Sequence, residues 1–344
     1  MKILLVVPSL NVPSYKGLAK VSLELLEGLK KKGIEVEIYE VHKEKKNYFK
    51  TLTLVPLKEL LAKVSIIHST VPELGTFFRL IKKFKNVKTV VTFHDFIPLR
   101  LAEELSFKFQ SLVKLYTIFM WKNASWSDKV IAVSKQTADD LKKFFGREVD
   151  AIIPPGVDEK FKPIQIKKEK LTLGFFANFS YRKNVKFAID TFKILKKKID
   201  CKLIIAGGKL QTIYQRQYDV KKLIKNLKDV EVLGYIPDEK VVELYNSFDF
   251  FIFPSIYEGF GIPILEAQAC GIPTLVLENA KIPPEVTEKA IKCSSPEDAS
   301  NKILELWNDC KEYEKIRKEG IKHAKKFSWE SFVESYIKVY ESLL

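Results

Sequence analysis

The chain has 344 residues, 46% of them hydrophobic, and a formal net charge of +15. That length suggests about two domains, each large enough to bury a substantial core. No apolar run approaches the roughly 20 residues that cross a bilayer, and Met1–Val7 is too short for a signal-peptide core. The four cysteines are scattered without metal-ligand spacing, which favours free thiols in a reducing cytoplasm.

Lysine supplies most of the positive charge, and the excess is denser in the first 160 residues than in the remainder. Such a surface suits an anionic membrane, a polyanionic acceptor or nucleic acid. An ordinary lysine-rich solvated surface explains it equally well. The charge lies in no aromatic-basic motif of a known nucleic-acid-binding module, so we expect no nucleic-acid partner.

The first half alternates short β-rich segments with helical stretches, an order that predicts a right-handed parallel α/β unit. The clearest helix, near Leu18–Lys32, keeps one face apolar and stops at Gly33. Ser134 is the expected N-cap of another helix, which runs through Phe145. The predicted strands are Ile3–Val7, Ile34–Tyr39, Val64–Ile67, Thr89–Phe93 and Lys129–Val133.

Residues 96–126 hold many aromatic side chains with lysines between them, including Phe119 and Trp126 with Lys114 and Lys122. A basic, aromatic amphipathic helix can lie on a membrane. More often such a stripe packs into a protein core. We favour the core here, and peripheral association with the inner face of the membrane stays open as the alternative.

The second half repeats the α/β pattern after a junction at Ile152–Lys170 that is rich in proline, glycine and charge. Its predicted strands are Leu171–Phe176, Lys202–Ala206, Val230–Val232 and Phe248–Phe253. The last strand leads into residues 254–271, PSIYEGFGIPILEAQACG. That stretch predicts a glycine loop and then a short helix, because proline suits a first helical turn and Gly-Ile-Pro stops a helix.

Two carboxylates in this stretch, Glu258 and Glu266, stand eight positions apart. The helix start at Gly261–Pro263 offers backbone N–H groups and a partial positive charge to a phosphate, whereas carboxylates suit hydroxyl groups. A nucleotide sugar, which has both phosphates and hydroxyl groups, would satisfy the whole set. The alternative is a solvated loop in which Glu266 merely favours the helix N-terminus.

Other polar residues are expected at strand ends, where open α/β sheets bind ligands. His94 is predicted at such a strand end, where it could donate a hydrogen bond to a sugar or acceptor oxygen. The alternative is a histidine with a structural role. Arg182 and Lys183 precede a helix and suit a diphosphate, arginine through forked hydrogen bonds and lysine as a point charge. The alternative for this pair is a solvated basic turn.

Several strings together resemble the retaining glycosyltransferases of family 4, whose signature is E-x7-E. The strings are EGFGIPILE with the neighbouring PS and GIP, RKN at residues 182–184, IIPPGVDEKFKP between the halves, and VTFHDFIPL, which is similar to mannosyltransferase-like members. The resemblance covers nearly the whole chain. It implies the α/β fold called GT-B, with two Rossmann-like domains whose parallel sheets face a central cleft.

The family's catalytic roles carry over as implications for particular residues. Glu258 would contact hydroxyl groups of the donor sugar, and His94 would act at sugar or acceptor oxygens. Asp95 would orient His94 or act on the acceptor side. Arg182 and Lys183 would neutralise the leaving diphosphate.

Further donor contacts are implied around these groups. Glu266 would accept hydrogen bonds from the ribose of the nucleotide. Loop residues are implied to approach the sugar, phosphates or base, in part through their backbone: Gly17, Gly207, Tyr235, Ile236, Gly259, Phe260, Gly261 and Ile262. The sequence departs from the family pattern at two places. Only one glycine of the usual N-terminal pair is present, and Ala177-Asn178 replaces the usual glycine and arginine, so one guanidinium that would bind phosphate is missing.

The resemblance also implies the domain organisation. Residues 1–160 would bind the acceptor and residues 161–326 the nucleotide sugar. Residues 327–344 would form a helix that crosses back to the first domain.

We therefore expect a retaining enzyme that moves a hexose from a nucleotide diphosphate sugar to a glycan, lipid-linked or small-molecule acceptor. No Asp-x-Asp pair occurs, so we expect no metal and no other cofactor. Because Arg182 is expected on a surface turn, Arg182→Ala should leave the melting temperature nearly unchanged. A non-catalytic nucleotide-sugar-binding subunit and a nucleotide-sugar epimerase of the same fold are the alternatives.

Overall fold

A computed structural model describes residues 1–10, 16–41, 58–101, 110–209 and 216–344 of the chain. These residues form two compact units. The first contains the described residues up to Gly156 together with Ser328–Leu344, and the second contains Val157–Phe327. Each unit is built on one parallel sheet of six strands.

The strands of the first unit are β1 (Lys2–Pro8), β2 (Glu35–Val41), β3 (Ile66–Ser69), β4 (Lys88–Phe93), β5 (Lys129–Ala132) and β6 (Ala151–Ile152). They pair in the order β2-β1-β3-β4-β5-β6, and every pairing is parallel. The intervening helices are α1 (Lys16–Lys31), α2 (Phe78–Phe84), α3 (Ile97–Arg100), α4 (Gln110–Ala124) and α5 (Lys135–Phe145). Ser134 caps α5, as predicted, by accepting a hydrogen bond from the N–H of Thr137.

The strands of the second unit are β7 (Leu171–Phe176), β8 (Cys201–Ala206), β9 (Val230–Gly234), β10 (Phe250–Phe253), β11 (Thr274–Leu277) and β12 (Ile291–Cys293). Their order is β12-β11-β10-β7-β8-β9, again all parallel. The helices are α6 (Val185–Leu195), α7 (Val220–Ile224), α8 (Val241–Asn246), α9 (Ile262–Ala269), α10 (Pro284–Thr287), α11 (Pro296–Asn308) and α12 (Cys310–Ala324). The two parallel α/β sheets predicted from the sequence are confirmed.

The C-terminal helix α13 (Trp329–Glu341) belongs to the first unit and packs against α1. Its hydroxyl groups enter a buried polar network. Tyr340 Oη lies 2.7 Å from His68 Nδ1, and Tyr336 Oη lies 2.9 Å from Thr92 Oγ1. His68 Nε2 is 2.9 Å from the same Thr92 oxygen. Because buried polar groups are costly unless they are paired, this network fixes α13 against β3 and β4.

The network makes stability depend on pH. Burial, with a smaller contribution from His94, lowers the pKa of His68 to about 3. Between that value and the ordinary histidine pKa of about 6.5, the unfolded chain binds a proton that the folded state excludes. The free energy of unfolding should therefore fall as the pH is lowered from about 7 to about 5. His68→Asn should lose less stability over the same range, measured by urea denaturation, and equal losses in both proteins would contradict this account.

Candidate functional site

Four strands of the second unit stand side by side in the order β10-β7-β8-β9. Because they are parallel, their carboxyl ends lie at one edge of the sheet, where open α/β sheets bind ligands. The segments that leave this edge, together with α9, carry the predicted residues of this unit: Arg182, Lys183, Gly207, Tyr235, Ile236, Glu258, Gly259, Phe260, Gly261, Ile262 and Glu266.

The loop between β10 and α9 ends in a conformation that needs glycine. Gly261 is the N-cap of α9 and has a φ of +111°. Pro263 follows in the first turn, where its missing N–H costs nothing. The first backbone N–H groups of a helix, here that of Ile262, have no partner within the helix. The partial positive charge at the N-terminus of α9 increases their attraction for an anion. This start can therefore receive a phosphate or another anionic group.

Glu258 lies buried in the same loop and contacts both predicted cations. Its Oε1 atom is 2.7 Å from Arg182 Nη1 and 2.5 Å from Lys183 Nζ, and Ser255 Oγ donates to it at 2.5 Å. Burial acts to raise the pKa of Glu258, but the two cations and these hydrogen bonds outweigh burial and lower it. The carboxylate is therefore charged and offsets part of the positive charge beside it.

The expectation that Arg182 and Lys183 lie on a solvated surface turn is wrong. They belong to a short turn, Tyr181–Lys183, but their side chains are only 11% exposed. Arg182 Nη1 also donates to the carbonyl oxygen of Tyr257 at 2.7 Å, and Lys183 Nζ lies 4.8 Å from the ring centre of Phe253. The buried carboxylate of Glu258 holds both side chains inward. The residues next to Arg182 and Lys183 in the sequence do not indicate this contact.

Arg182→Ala is accordingly expected to lower both the melting temperature and the affinity for a nucleoside diphosphate. Loss of one partner from a buried ion pair costs about 3 kcal/mol, because a buried charge is left partly uncompensated. Lys186→Ala is the matched control, since Lys186 is exposed and pairs with Asp190 on the same helix. Thermal unfolding and calorimetric titration measure the two effects. A melting temperature equal to that of the control would show that the cluster adds nothing to stability.

Glu266 lies one turn inside α9, where a buried tyrosine fixes its carboxylate. The hydroxyl group of Tyr245, on α8, donates to Glu266 Oε2 at 2.9 Å. The Tyr245 ring is fully buried and makes edge contacts with Phe161, Phe176 and Phe251. Tyr245 has no role predicted from the sequence, because its position in an apolar segment indicates only a core residue.

The loops after β8 and β9 hold the remaining predicted residues of this unit. A Cβ atom on Gly207 would lie 2.0 Å from the carbonyl oxygen of Ala177, so this close approach requires glycine. The N–H of Gly207 donates to the carbonyl oxygen of Gly234 at 2.7 Å. Tyr235 is 63% exposed, and Ile236 beside it is half-buried. The nucleotide-binding role of these residues stays a prediction.

The predicted residues of the first unit lie at the carboxyl edge of its own sheet. Gly17 lies in the first turn of α1, after β1. His94 and Asp95 follow β4. His94 Nε2 is 2.8 Å from the carbonyl oxygen of Thr70, which orients the ring. Asp95 Oδ1 accepts a hydrogen bond from the N–H of Ile97 at 2.9 Å, at the start of α3.

The hydrogen bond from His94 Nε2 to the carbonyl oxygen of Thr70 determines which ring nitrogen can contact a substrate. A carbonyl oxygen only accepts, so Nε2 carries the proton and Nδ1 carries a lone pair. Burial lowers the pKa of His94 to about 4, so the ring is neutral at physiological pH. The role predicted for His94 is to donate a hydrogen bond to a sugar or acceptor oxygen. With the proton on Nε2, the Nδ1 atom is able to accept a hydrogen bond, for which a substrate hydroxyl group is a suitable donor.

Within the described ranges, no three histidine, cysteine, aspartate or glutamate side chains lie close enough together to hold a metal ion. In the same part of the chain, no helix combines the length and apolar character needed to cross a membrane. Metal independence stays a prediction.

The aromatic residues predicted as core in the stretch 96–126 lie only partly in the core. Trp121 packs in the core of the first unit, whereas Phe119 and Trp126 are exposed. The prediction is therefore confirmed for Trp121 and wrong for Phe119 and Trp126.

Two family models match consecutive parts of the chain, Glycosyltransferase Family 4 over residues 15–161 and Glycosyl transferases group 1 over residues 156–323. The chain belongs to the family 4-like glycosyltransferases. Its fold is GT-B, like that of sucrose-phosphate synthase from Thermosynechococcus elongatus, with a TM-score of 0.80. That match covers 100% of this chain and 99% of the other at 17% sequence identity.

Two curated relatives of this glycosyltransferase have a higher percentage identity over the residues that align. The O-antigen chain mannosyltransferase B of Escherichia coli is 40% identical over 117 residues, which are 33% of this chain and 30% of that protein. An uncharacterized glycosyltransferase of Methanocaldococcus jannaschii is 28% identical over 287 residues, which are 81% of this chain and 76% of the relative. The match to the named mannosyltransferase thus spans less than a third of its length.

Proposed function

We propose that this glycosyltransferase transfers a hexose from a nucleotide diphosphate sugar and retains the anomeric configuration. The observation that carries the proposal is the buried cluster of Glu258, Arg182 and Lys183 at the carboxyl edge of the second sheet. The cluster combines a carboxylate that suits hydroxyl groups with two cations that suit a diphosphate. The start of α9 adds a site for phosphate.

Donor binding would redistribute the contacts of this cluster. The diphosphate oxygens compete with Glu258 for Arg182 and Lys183, because both ligands are anionic. As the two cations turn to the diphosphate, the Glu258 carboxylate gains capacity to accept hydrogen bonds from the sugar. The same ion pair therefore stabilises the fold and supplies the groups that bind the donor.

The proposed chemical step is a substitution at the anomeric carbon on one face of the sugar. The bond from this carbon to the diphosphate oxygen breaks while the acceptor oxygen bonds on the same face, and an oxygen of the leaving diphosphate takes the acceptor's proton. Arg182, Lys183 and the start of α9 would stabilise the negative charge that develops on the leaving group, an effect worth about 3 kcal/mol per donor group. A role for His94 at sugar or acceptor oxygens rests on the family resemblance.

Mannose is the donor sugar that we propose to test first, with a glycan or lipid-linked molecule as acceptor. The support is the name of the Escherichia coli relative, an O-antigen chain mannosyltransferase.

A thermal-shift panel of UDP-, GDP- and ADP-sugars tests the proposal. A donor at 100 times its dissociation constant stabilises the fold by about 2.7 kcal/mol, which is a clear shift in melting temperature. We expect the donor identified in this way to release its nucleoside diphosphate slowly without acceptor. Binding without turnover over any acceptor would instead indicate a non-catalytic subunit, and formation of an epimeric nucleotide sugar would indicate an epimerase. Either outcome overturns the proposal.

Turnover is expected to survive EDTA, because Arg182 and Lys183 would supply the positive charge that a metal ion provides in Asp-x-Asp enzymes. Rates measured after chelation and again after addition of Mg²⁺ or Mn²⁺ test this expectation. Complete loss of activity that either metal restores would show that a metal site was missed.

A further inference from the structure

A buried histidine of the second unit, His323 on α12, contacts both α9 and α10. Its Nδ1 atom lies 2.8 Å from Gln268 Oε1 on α9, and its Nε2 atom lies 2.9 Å from the carbonyl oxygen of Glu285 on α10. No role is predicted from the sequence for His323 or Gln268. Because buried polar groups are costly unless they are paired, the ring fixes α9 and α10 to α12.

The elements that His323 joins also pack against the loop at the start of α9. A Cβ atom on Gly261 would lie 3.5 Å from Val286 Cγ1, so α10 is in contact with this loop. The ring of Phe327 contacts His323 on one side and Phe260, in the same loop, on the other. The ring centres are 5.5 Å and 5.7 Å apart. The position of the loop therefore depends on α10 and on the end of α12.

Gln268 holds α9 on the side opposite to Glu266. The two residues are two positions apart on a helix, so their side chains point about 200° away from each other. A tyrosine hydroxyl on α8 fixes Glu266, and His323 fixes Gln268. Arg317, also on α12, donates from Nε to the carbonyl oxygen of Gly271 at 2.9 Å, just after α9. Helix α9 is thus held from both sides and at its end.

The bond between His323 and Gln268 can take two forms. The carbonyl oxygen of Glu285 only accepts, so His323 Nε2 carries a proton. Burial lowers the pKa of His323, so the ring is neutral at physiological pH and Nδ1 accepts a hydrogen bond. With Oε1 at Nδ1, the Gln268 Nε2 group is buried and has no hydrogen-bond partner among the residues that the structure describes. A half-turn of the amide gives this N–H to the neutral ring, whereas Oε1 suits the protonated ring.

Three charged side chains act on the ring from outside. Glu288 Oε2 lies 3.7 Å from His323 Nε2 and favours the protonated ring, whereas Lys289 and Lys326 disfavour it. Both lysines also pair with Glu288, at 3.9 Å and 3.5 Å, so these charges largely offset one another. Because Gln268 suits either form of the ring, we expect the contact between α9 and α12 to persist while His323 titrates.

We propose that His323, acting through Gln268, is a positioning residue for the nucleotide of the donor. It holds α9 and α10 so that the start of α9 and Glu266 keep the places from which they bind the diphosphate and the ribose. The inference rests on the proposed function, because it takes a nucleotide diphosphate sugar as the ligand at α9. It adds a residue that contacts neither phosphate nor sugar but decides how well they are bound.

His323→Phe tests this role, because it keeps a ring against Phe327 and removes both hydrogen bonds. The ligand is UDP, GDP or ADP, whichever the thermal-shift panel selects. Its affinity should fall about tenfold, the effect of losing two ordinary hydrogen bonds. Calorimetric titration measures the affinity separately from the stoichiometry, which reports the folded fraction. His323→Asn should recover part of the loss, because its amide can still bond to Gln268.

His68→Asn is the matched control for these variants. His68 is a buried histidine of the first unit and makes two hydrogen bonds, to Tyr340 and Thr92. The control should lower the melting temperature without changing the affinity for the nucleoside diphosphate. A lower melting temperature in His323→Phe with unchanged affinity would show that His323 only stabilises the fold, and would overturn the inference.

Gln268→Glu supplies a pH profile that a merely structural role would not produce. A carboxylate pairs well with the protonated His323 ring and raises its pKa, but it repels the lone pair of the neutral ring. The affinity of the variant for the nucleoside diphosphate, divided by that of the wild type, should therefore fall about fivefold or more as the pH rises from about 6 to about 9. Dividing by the wild type removes the titration of the ligand.

The outcomes separate this inference from the proposed function. If the wild type binds the nucleotide and transfers the sugar, but His323→Phe binds as tightly or the ratio for Gln268→Glu stays constant with pH, only the inference is overturned. A wild type that binds none of the three nucleoside diphosphates overturns the proposed function and the inference together.

Discussion

Glu258→Gln is expected to lower sugar transfer by about 10- to 100-fold while nucleoside diphosphate binds at least as tightly as to the wild type. Glutamine keeps the size of the side chain but loses its charge, so the contact with sugar hydroxyl groups weakens. Arg182 and Lys183 lose the carboxylate that competes with the diphosphate for them. The same change should lower the melting temperature, because two largely buried cations lose their anionic partner.

Calorimetric titration with the nucleoside diphosphate and with the intact donor separates these effects. Glu243→Gln is the control, since Glu243 is an exposed glutamate on α8 in the same unit, and it should match the wild type. If Glu258→Gln weakens the sugar-free nucleotide as much as the sugar-bearing one, Glu258 does not recognise the sugar.

Glu266→Gln should weaken the nucleoside diphosphate and the nucleotide sugar to similar extents, by about tenfold or more. The reason is that a ribose contact persists when the transferred sugar is absent. The affinities for the nucleoside diphosphate and for the nucleotide sugar therefore distinguish the role of Glu266 from that of Glu258. Loss of affinity for the nucleotide sugar alone would assign Glu266 to the sugar and contradict the division of roles.

Tyr245→Phe extends this test to the residue that positions Glu266. Removing the hydroxyl that donates to Glu266 Oε2 should lower affinity for both ligands by several-fold, because the carboxylate loses its fixed orientation. Tyr313→Phe is the control, since it removes a hydroxyl that donates to the carbonyl oxygen of Asp249 at 3.0 Å in the same unit. If Tyr245 has only a structural role, Tyr245→Phe and Tyr313→Phe will have equal affinities for both ligands and equal melting temperatures.

The sheet strands were predictable because their signals are local. Leu171–Phe176 was predicted to the residue, and the other predicted strands lie within a few residues of the observed ones, since short runs of β-branched and aromatic residues leave few alternatives. The short strands β6, β11 and β12 were not predicted, because two to four residues carry too little pattern. The signals for the start of α9 are also local, because Gly261 is the N-cap and Pro263 lies in the first turn.

The site was less predictable because its contacts join residues far apart in the chain. The pairing of Glu258 with Arg182 and Lys183 spans about 75 positions, and no spacing rule connects them. The bond between Tyr245 and Glu266 joins two helices, and the proton on His94 Nε2 depends on a carbonyl at the end of another strand. These contacts depend on tertiary packing. The same packing buries the side chains of Arg182 and Lys183, although their basic composition predicts a solvent-exposed turn.

Proton NMR of the reaction shows whether the sugar is transferred and whether its anomeric configuration is retained. The donor found by the thermal-shift panel is incubated with acceptor, and the anomeric signals of donor and product are followed together with release of the nucleoside diphosphate. We expect one glycoside per diphosphate released, with the anomeric configuration of the donor, and a much slower reaction with Glu258→Gln. A product of inverted configuration, or equal rates with the wild type and Glu258→Gln, would contradict it.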